Sequence, residues 1–137
     1  MMKNSRGVCL NVSEPSDPRR ILGILGERSA ERHLAAAGMR ILERGFRFRG
    51  GEVDLIAEDE RELVFVEVKT RASRGFGLPA DAVTLSKQRK ILQAASFYLK
   101  SRGAWQHPCR FDVVSVWVAE GKVTRVEHLR DAFRARG

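Results

Sequence analysis

A chain of 137 residues, 43% of them hydrophobic and 31% charged, is long enough to bury one core unaided and too apolar for a disordered tail. Its 25 Lys and Arg against 17 Asp and Glu leave a formal charge of +8, which favours a polyanionic partner, nucleic acid being the commonest. No uninterrupted apolar run exceeds four residues, so neither a transmembrane helix nor a signal peptide within Met1–Arg20 is expected, and a cytoplasmic protein without membrane contact is.

In chain order, residues 1 to 17 carry Ser, Pro, Asp and Asn without periodicity and read as a disordered lead-in, leaving residues 18 to 137 as a single domain. Asp17-Pro18 is a cap and first-turn pair, and Leu22, Leu25, Ala30, Leu34 and Ala37 keep a helical spacing that stops at Gly38. Arg40 to Arg49 alternates as a strand, with Phe46 and Phe48 on one face and Arg47 and Arg49 on the other, before Gly50-Gly51. Glu52 to Ala57 and Leu63 to Thr70, joined by the polar turn EDERE, form a hairpin, so the three strands make an antiparallel meander. Arg71 to Asp81, RASRGFGLPAD, reads as a mobile loop.

A second helix runs to about Arg102, with Ile91, Leu92, Ala95, Tyr98 and Leu99 on one face and Lys87, Arg89 and Lys90 in its first turns. Phe111 to Ala119 and Lys122 to Glu127 are strands about a Glu120-Gly121 turn, and Leu129 to Ala135 reads as a short final helix. The order α-β-β-β-α-β-β predicts an α/β sandwich on a mixed sheet, because a helical crossover makes its two flanking strands parallel neighbours.

LVFVEVKTR, Leu63 to Arg71, contains a contradiction: on a strand that otherwise reads as buried, Glu67 and Lys69 follow Phe65 on one face. An E-x-K triplet means little alone, and Glu120-Gly121-Lys122 is a second one that a hairpin turn explains. The setting of the first is different. Its hairpin partner carries Asp54 between Val53 and Leu55, and carboxylates on adjacent strands can converge on one hard divalent cation, Mg²⁺ or Mn²⁺. Lys69, about 7 Å along the strand from Glu67, reaches the same space, so a metal-bound water and a fixed ammonium could act on a scissile phosphate. The bland alternative is a solvated face on which Glu and Lys pair without consequence. Glu27 lies at the edge of the first helix's apolar stripe, beside the sheet, and either pairs with an arginine or joins the acidic set. The acids of the centre stand between basic banks, Arg44, Arg47 and Arg49 before them and Arg71 and Arg74 after, with Lys87, Arg89 and Lys90 on the second helix as further phosphate contacts.

From GERSAERHLAAAGMRILERGFRFRGGEVDLIAEDERELVFVEVKTR through SKQRK to RFDVVSV, the chain resembles the YraN family of bacterial proteins. That resemblance implies the restriction-endonuclease-like fold of the PD-(D/E)XK nuclease superfamily, similar to archaeal Holliday-junction resolvases. It implies Asp54, Glu67 and Lys69 as the D-E-x-K signature, and Glu27 as an auxiliary helix carboxylate to the metal. The superfamily's nominal Pro before the Asp is Val53 here, which removes no ligand.

The remaining candidates read as structural. His33, His107 and His128 fit no metal-ligand spacing, Asp112 suits a strand-edge hydrogen bond, and Trp117 suits a core more than a base stack, for which Trp105 is the other candidate. Cys9 and Cys109 read as free thiols, and no Ser is matched to a His as a triad requires. The expected function is a metal-dependent endonuclease on DNA, with branched, Holliday-junction-like DNA among the candidate substrates and a two-fold homodimer suited to cutting it. The alternatives are a non-catalytic nucleic-acid-binding module and a structural partner in a DNA-processing assembly. Retention of the acids favours the enzyme, since pure phosphate binding gains by losing negative charge.

Overall fold

Asp17 starts the first helix as its sequence suggests: its backbone is extended, and its side chain accepts the Arg19 N–H at 3.0 Å. In the computed structural model, which describes residues 17–72, 83–104 and 106–134, helix α1 spans Pro18–Ala36 with proline in its first turn. The lead-in expected over residues 1 to 17, apart from Asp17 itself, and most of the expected 71–81 loop lie outside the described residues. Gly26, Ser29, Ala30 and Leu34 form the buried stripe of α1. The contact at Gly26 is so close that a Cβ there would overlap the Thr70 side chain. Gly38, at φ +96°, turns the chain out of the helix, a conformation open to glycine at little cost.

Strands β1 (Arg40–Phe48), β2 (Gly51–Asp59) and β3 (Glu62–Ala72) form the antiparallel meander. Helix α2 (Leu85–Ser101) then crosses over to β4 (Cys109–Ala119), which pairs with β3 in parallel, and β5 (Lys122–Phe133) returns antiparallel to β4. The result is a five-stranded mixed sheet in the order β1-β2-β3-β4-β5 with α-β-β-β-α-β-β connectivity. β3 and β4 are apolar on both faces because both faces are covered. Ala30 and Leu34 of α1 pack with Leu55, Val64, Val66, Val114 and Val116 on one side. Ile91, Ala95, Tyr98 and Leu99 of α2 pack with Ile56, Phe65 and Phe111 on the other. Each fully buried Val, Leu, Ile or Phe side chain among them contributes about 1.5–3 kcal/mol. No helix among the described residues is long and apolar enough to cross a membrane.

The expected final helix does not form. β5 continues through Leu129 to Phe133, whose ring stacks on Phe111 with centroids 5.0 Å apart. The pairing shifts between Phe111 and Val113, Asp131 takes φ +55°, and its N–H is accepted by Asp112 at 2.9 Å. A bulge of this kind breaks the two-residue alternation, so Leu129, Ala132 and Phe133 carry a spacing that mimics a helix.

Candidate active site

The site begins where a ladder stops. β2 and β3 pair from Asp59↔Glu62 up to Leu55↔Val66, while β3 and β4 stay paired as far as Ala72↔Val118. One step beyond Leu55 and Val66 stand Asp54 and Glu67. There the Asp54 side chain takes over from the strand backbone, its Oδ2 accepting the Val68 N–H at 2.8 Å. β2 also turns at this point: Leu55 belongs to the core under α1, but Val53, two residues earlier, belongs to the core under α2. The strands therefore splay with a carboxylate on each side of the gap.

Glu67 is 7% exposed, and its Oε1 is buried without a hydrogen-bond partner among the described residues. Burial first, then the charge of Asp54 and, more weakly, a hydrogen bond from the protonated Glu67 carboxyl to Asp54, push it up to about 8, against the opposing pull of Lys87 and, more weakly, Lys69. Lys87, in the first turn of α2, places Nζ 3.6 Å from Glu67 Oε2 and 2.6 Å from Glu52 Oε2. Its hydrogen bond holds the Glu52 carboxyl below the ordinary range, helped by Arg47 and Lys90. Lys69 is half-buried on β3, two residues beyond Glu67. So the ammonium facing Glu67 most strongly comes from α2. Nothing in the sequence links Glu52 to a residue 35 positions away.

Glu27 is exposed on α1 and lines, with Asp54, Arg28 and Arg44, a cavity of about 340 Å³. Partial burial and the Asp54 charge both raise its carboxyl. The expected acids thus share one electrostatic neighbourhood. Among the described residues, however, no three His, Cys, Asp or Glu side chains are grouped to hold a metal. The donor set fits a hard divalent cation at Asp54 and Glu67, because the orphaned Oε1 and two mutually repelling carboxylates are what such an ion would satisfy. Glu27 lies beside that pair without completing a trio.

The basic rim is less uniform than its sequence. Arg44 is committed to Glu31, with Nε 2.9 Å from Oε1 and Nη2 on Oε2. The Arg47 side chain is 80% exposed, with Nε 3.8 Å from Glu52. Arg49 lies 5.3 Å over the Phe48 ring, and Arg71 5.9 Å from the Trp117 ring centroid. Arg89 and Lys90 are exposed on α2, and Arg74 lies outside the described residues.

Asp112 proves structural and fully buried. Burial raises its carboxyl, but hydrogen bonds with His128 (2.8 Å), Arg110 (3.0 Å) and the Asp131 N–H together hold it below the ordinary range. Arg110 also reaches Asp59 and Glu62, each at 3.0 Å. The R-x-D spacing on one strand face was the available signal for this network. His33 packs edge-on to His128 with centroids 5.5 Å apart, Trp117 is 4% exposed, and Cys109 is a half-buried free thiol, while Cys9 and Trp105 lie outside the described residues.

Fold and site define an α/β protein with an acidic cleft where the central ladder of a mixed sheet parts. The chain belongs to the UPF0102 family, the YraN family of the resemblance above: the sequence model of "Uncharacterised protein family UPF0102" matches residues 26–116. It is 51% identical over 112 residues to a UPF0102 protein of Rhodococcus jostii, covering 82% of this chain and 95% of that one. A UPF0102 protein of Geobacter sulfurreducens is 45% identical over 122 residues, 89% of this chain and 95% of its own length. One from Symbiobacterium thermophilum is 48% identical over 116 residues, 85% and 98% of the two chains.

Proposed function

We propose that the protein is a metal-dependent endonuclease of the PD-(D/E)XK type that hydrolyses DNA phosphodiesters, with branched, Holliday-junction-like DNA among its candidate substrates. One observation carries the reading: at the parted strands, a buried Glu67 keeps an oxygen without a partner among the described residues while facing a second carboxylate. Leaving a buried polar atom unsatisfied costs about 1–3 kcal/mol, more for a charged group, which a purely structural strand has no reason to retain.

Asp54 and Glu67 would hold Mg²⁺ or Mn²⁺, with Glu27 beside them. The ion, when bound, supplies an acidified water and charge stabilisation at the phosphate. The chain's own parts do the positioning. The Val68 N–H fixes the Asp54 carboxylate, and the paired β3–β4 floor fixes Glu67. Lys69 and Lys87 present ammonium groups to the charge that grows on the phosphate oxygens in the transition state. Arg47, Arg49, Arg71, Arg89 and Lys90 would hold the flanking backbone.

The test is cleavage of supercoiled, single-stranded, flap and four-way DNA with Mg²⁺ or Mn²⁺, against EDTA. Metal-dependent products that vanish in Asp54→Asn and Glu67→Gln are expected. Tight binding with no cleavage of any substrate would replace the enzyme by the binding module, and no binding at low salt would favour the structural partner.

A further inference from the structure

One ammonium group stands among the crowded carboxylates, and it is bonded at one end only. Lys87 Nζ lies 2.6 Å from Glu52 Oε2, a charge-assisted hydrogen bond, but 3.6 Å from Glu67 Oε2, too far for one. Burial alone would lower the Lys87 ammonium, yet the Glu52 hydrogen bond and the charges of Glu67 and Asp54 raise it above the ordinary range, so it stays charged. Lys87 thus belongs to Glu52 by its bond and to Glu67 by its field.

The backbone that carries it is fixed. Thr84 caps α2 by accepting the Lys87 N–H at 3.1 Å, and the Gln88 side chain donates to the Val83 carbonyl at 2.9 Å. Gly51, next to Glu52, packs so closely on α2 that a Cβ would come 2.6 Å from the Ala94 nitrogen. The side chain itself is freer, with 27% of it exposed. A flexible four-carbon stem with an open side can move its charge while the helix stays in place. Meanwhile Glu67 Oε1 has no partner among the described residues, so this ammonium does not satisfy the carboxylate it faces. Were a divalent cation bound to Glu67 and Asp54, like charges would meet across a few ångströms of half-buried space, where their repulsion is far stronger than in water.

We infer that Lys87 is an exchangeable counter-ion of Glu67: it gives up Glu67 when a divalent cation binds there, and its ammonium moves to the open side, where a phosphate can meet it. Loading the site and releasing this cation are then one event. The idea rests on the metal-site reading but not on cleavage, so the experiment reads accessibility and binding by the full chain. The protein is briefly acetylated with and without Mg²⁺, and the labelling of each lysine is measured by mass spectrometry. In wild type Lys87 labelling should rise several-fold with Mg²⁺, while Lys100 and Lys122, far from the carboxylates, stay level. Asp54→Asn/Glu67→Gln should abolish the rise. In calorimetric titration Lys87→Met should bind Mn²⁺ about tenfold more tightly than wild type, the coupling expected when two cations compete for one carboxylate. Should Lys87→Met melt early, Lys87→Gln repeats the titration, and the labelling of wild type decides the same point. Mn²⁺ binding by wild type with Lys87 labelling unchanged by Mg²⁺ overturns the exchange and leaves the metal site standing. Equal or weaker Mn²⁺ affinity in Lys87→Met does the same, since Lys87 would then support the site instead of competing for it. No Mn²⁺ binding by either protein overturns the metal site and the exchange with it.

Discussion

Two buried carboxylates lie at adjacent rungs of the β3–β4 pair, Asp112 opposite Val66 and Glu67 opposite Val113, in contrasting surroundings. Both Asp112 oxygens are hydrogen-bonded, by partners two, sixteen and nineteen residues away along β4 and β5, and its carboxyl is held low. Glu67 has one oxygen near Lys87 and one with no partner among the described residues, and its carboxyl is raised. The strand pairing accounts for the difference. β5 and its bulge close over Asp112, while β2 leaves β3 just where Glu67 would be closed over. A buried acid satisfied by its own chain serves the fold, whereas one left open by a parted ladder is available to something from outside.

The largest expected effect tests the open side. If Asp54 and Glu67 hold the ion, Asp54→Asn and Glu67→Gln should each lower cleavage by about 10³-fold or more, roughly 4 kcal/mol of transition-state stabilisation. Calorimetric Mn²⁺ titration should lose its signal in the double variant. Lys69→Ala should cost about 10²–10³-fold in rate with the melting temperature little changed. Wild-type cleavage in Lys69→Ala would take it out of the mechanism and leave Lys87, which stands nearer Glu67, as the ammonium to test.

The closed side should answer in stability instead. Asp112→Ala leaves Arg110 and His128 facing a vacated buried position, and we expect a loss of about 3–5 kcal/mol, read by thermal or urea unfolding. A change under about 1 kcal/mol would mean that the network is not what holds β5 in register.

How much of this could be read from the chain follows the same division. Periodicity and caps located both helices and all five strands, because Asp17-Pro18, the valine alternation of β3 and the α2 stripe are local signals. The parallel β3–β4 pair followed from the crossover alone. Asp54, Glu67 and Lys69 stood out because charge inside an apolar strand is costly and therefore informative. The end of β5 was misread because a bulge imitates helical spacing. The Lys87–Glu52–Glu67 chain, the Arg44–Glu31 pair and the Asp112 network depend on pairings between distant positions, which no local pattern encodes.

A smaller effect concerns pH. The folded state raises the Glu67 carboxyl from 4.5 to about 8, so it favours the protonated form. The stability this contributes is complete below about pH 4.5 and is lost as pH rises through about 8. Metal-free wild type should therefore lose melting temperature from pH 5 to pH 9 relative to Glu67→Gln, and Mn²⁺ should restore part of it at the alkaline end. Parallel melting curves for the two proteins across that range would show that Glu67 does not carry the raised carboxyl.

The smallest effect carries the comparison out to the rim, where Arg44 and Arg47 differ as Asp112 and Glu67 do. Arg44 already has a carboxylate at two nitrogens, whereas Arg47 is 80% exposed and only 3.8 Å from Glu52. A guanidinium neutralised within the chain releases few counterions when a phosphate arrives, but an exposed one releases about 0.9 per contact with duplex DNA. Plotting log affinity against log salt, Arg47→Ala should therefore flatten the slope by about 0.9, and replacing the exposed Arg47 and Arg49 together by up to about twice that. Arg44→Ala should change it by much less and should instead show its effect where α1 meets β1. Equal slope changes for Arg44→Ala and Arg47→Ala would mean that DNA breaks the Glu31 pair on binding, placing the cavity lined by Arg44, Glu27 and Asp54 in the path of the backbone.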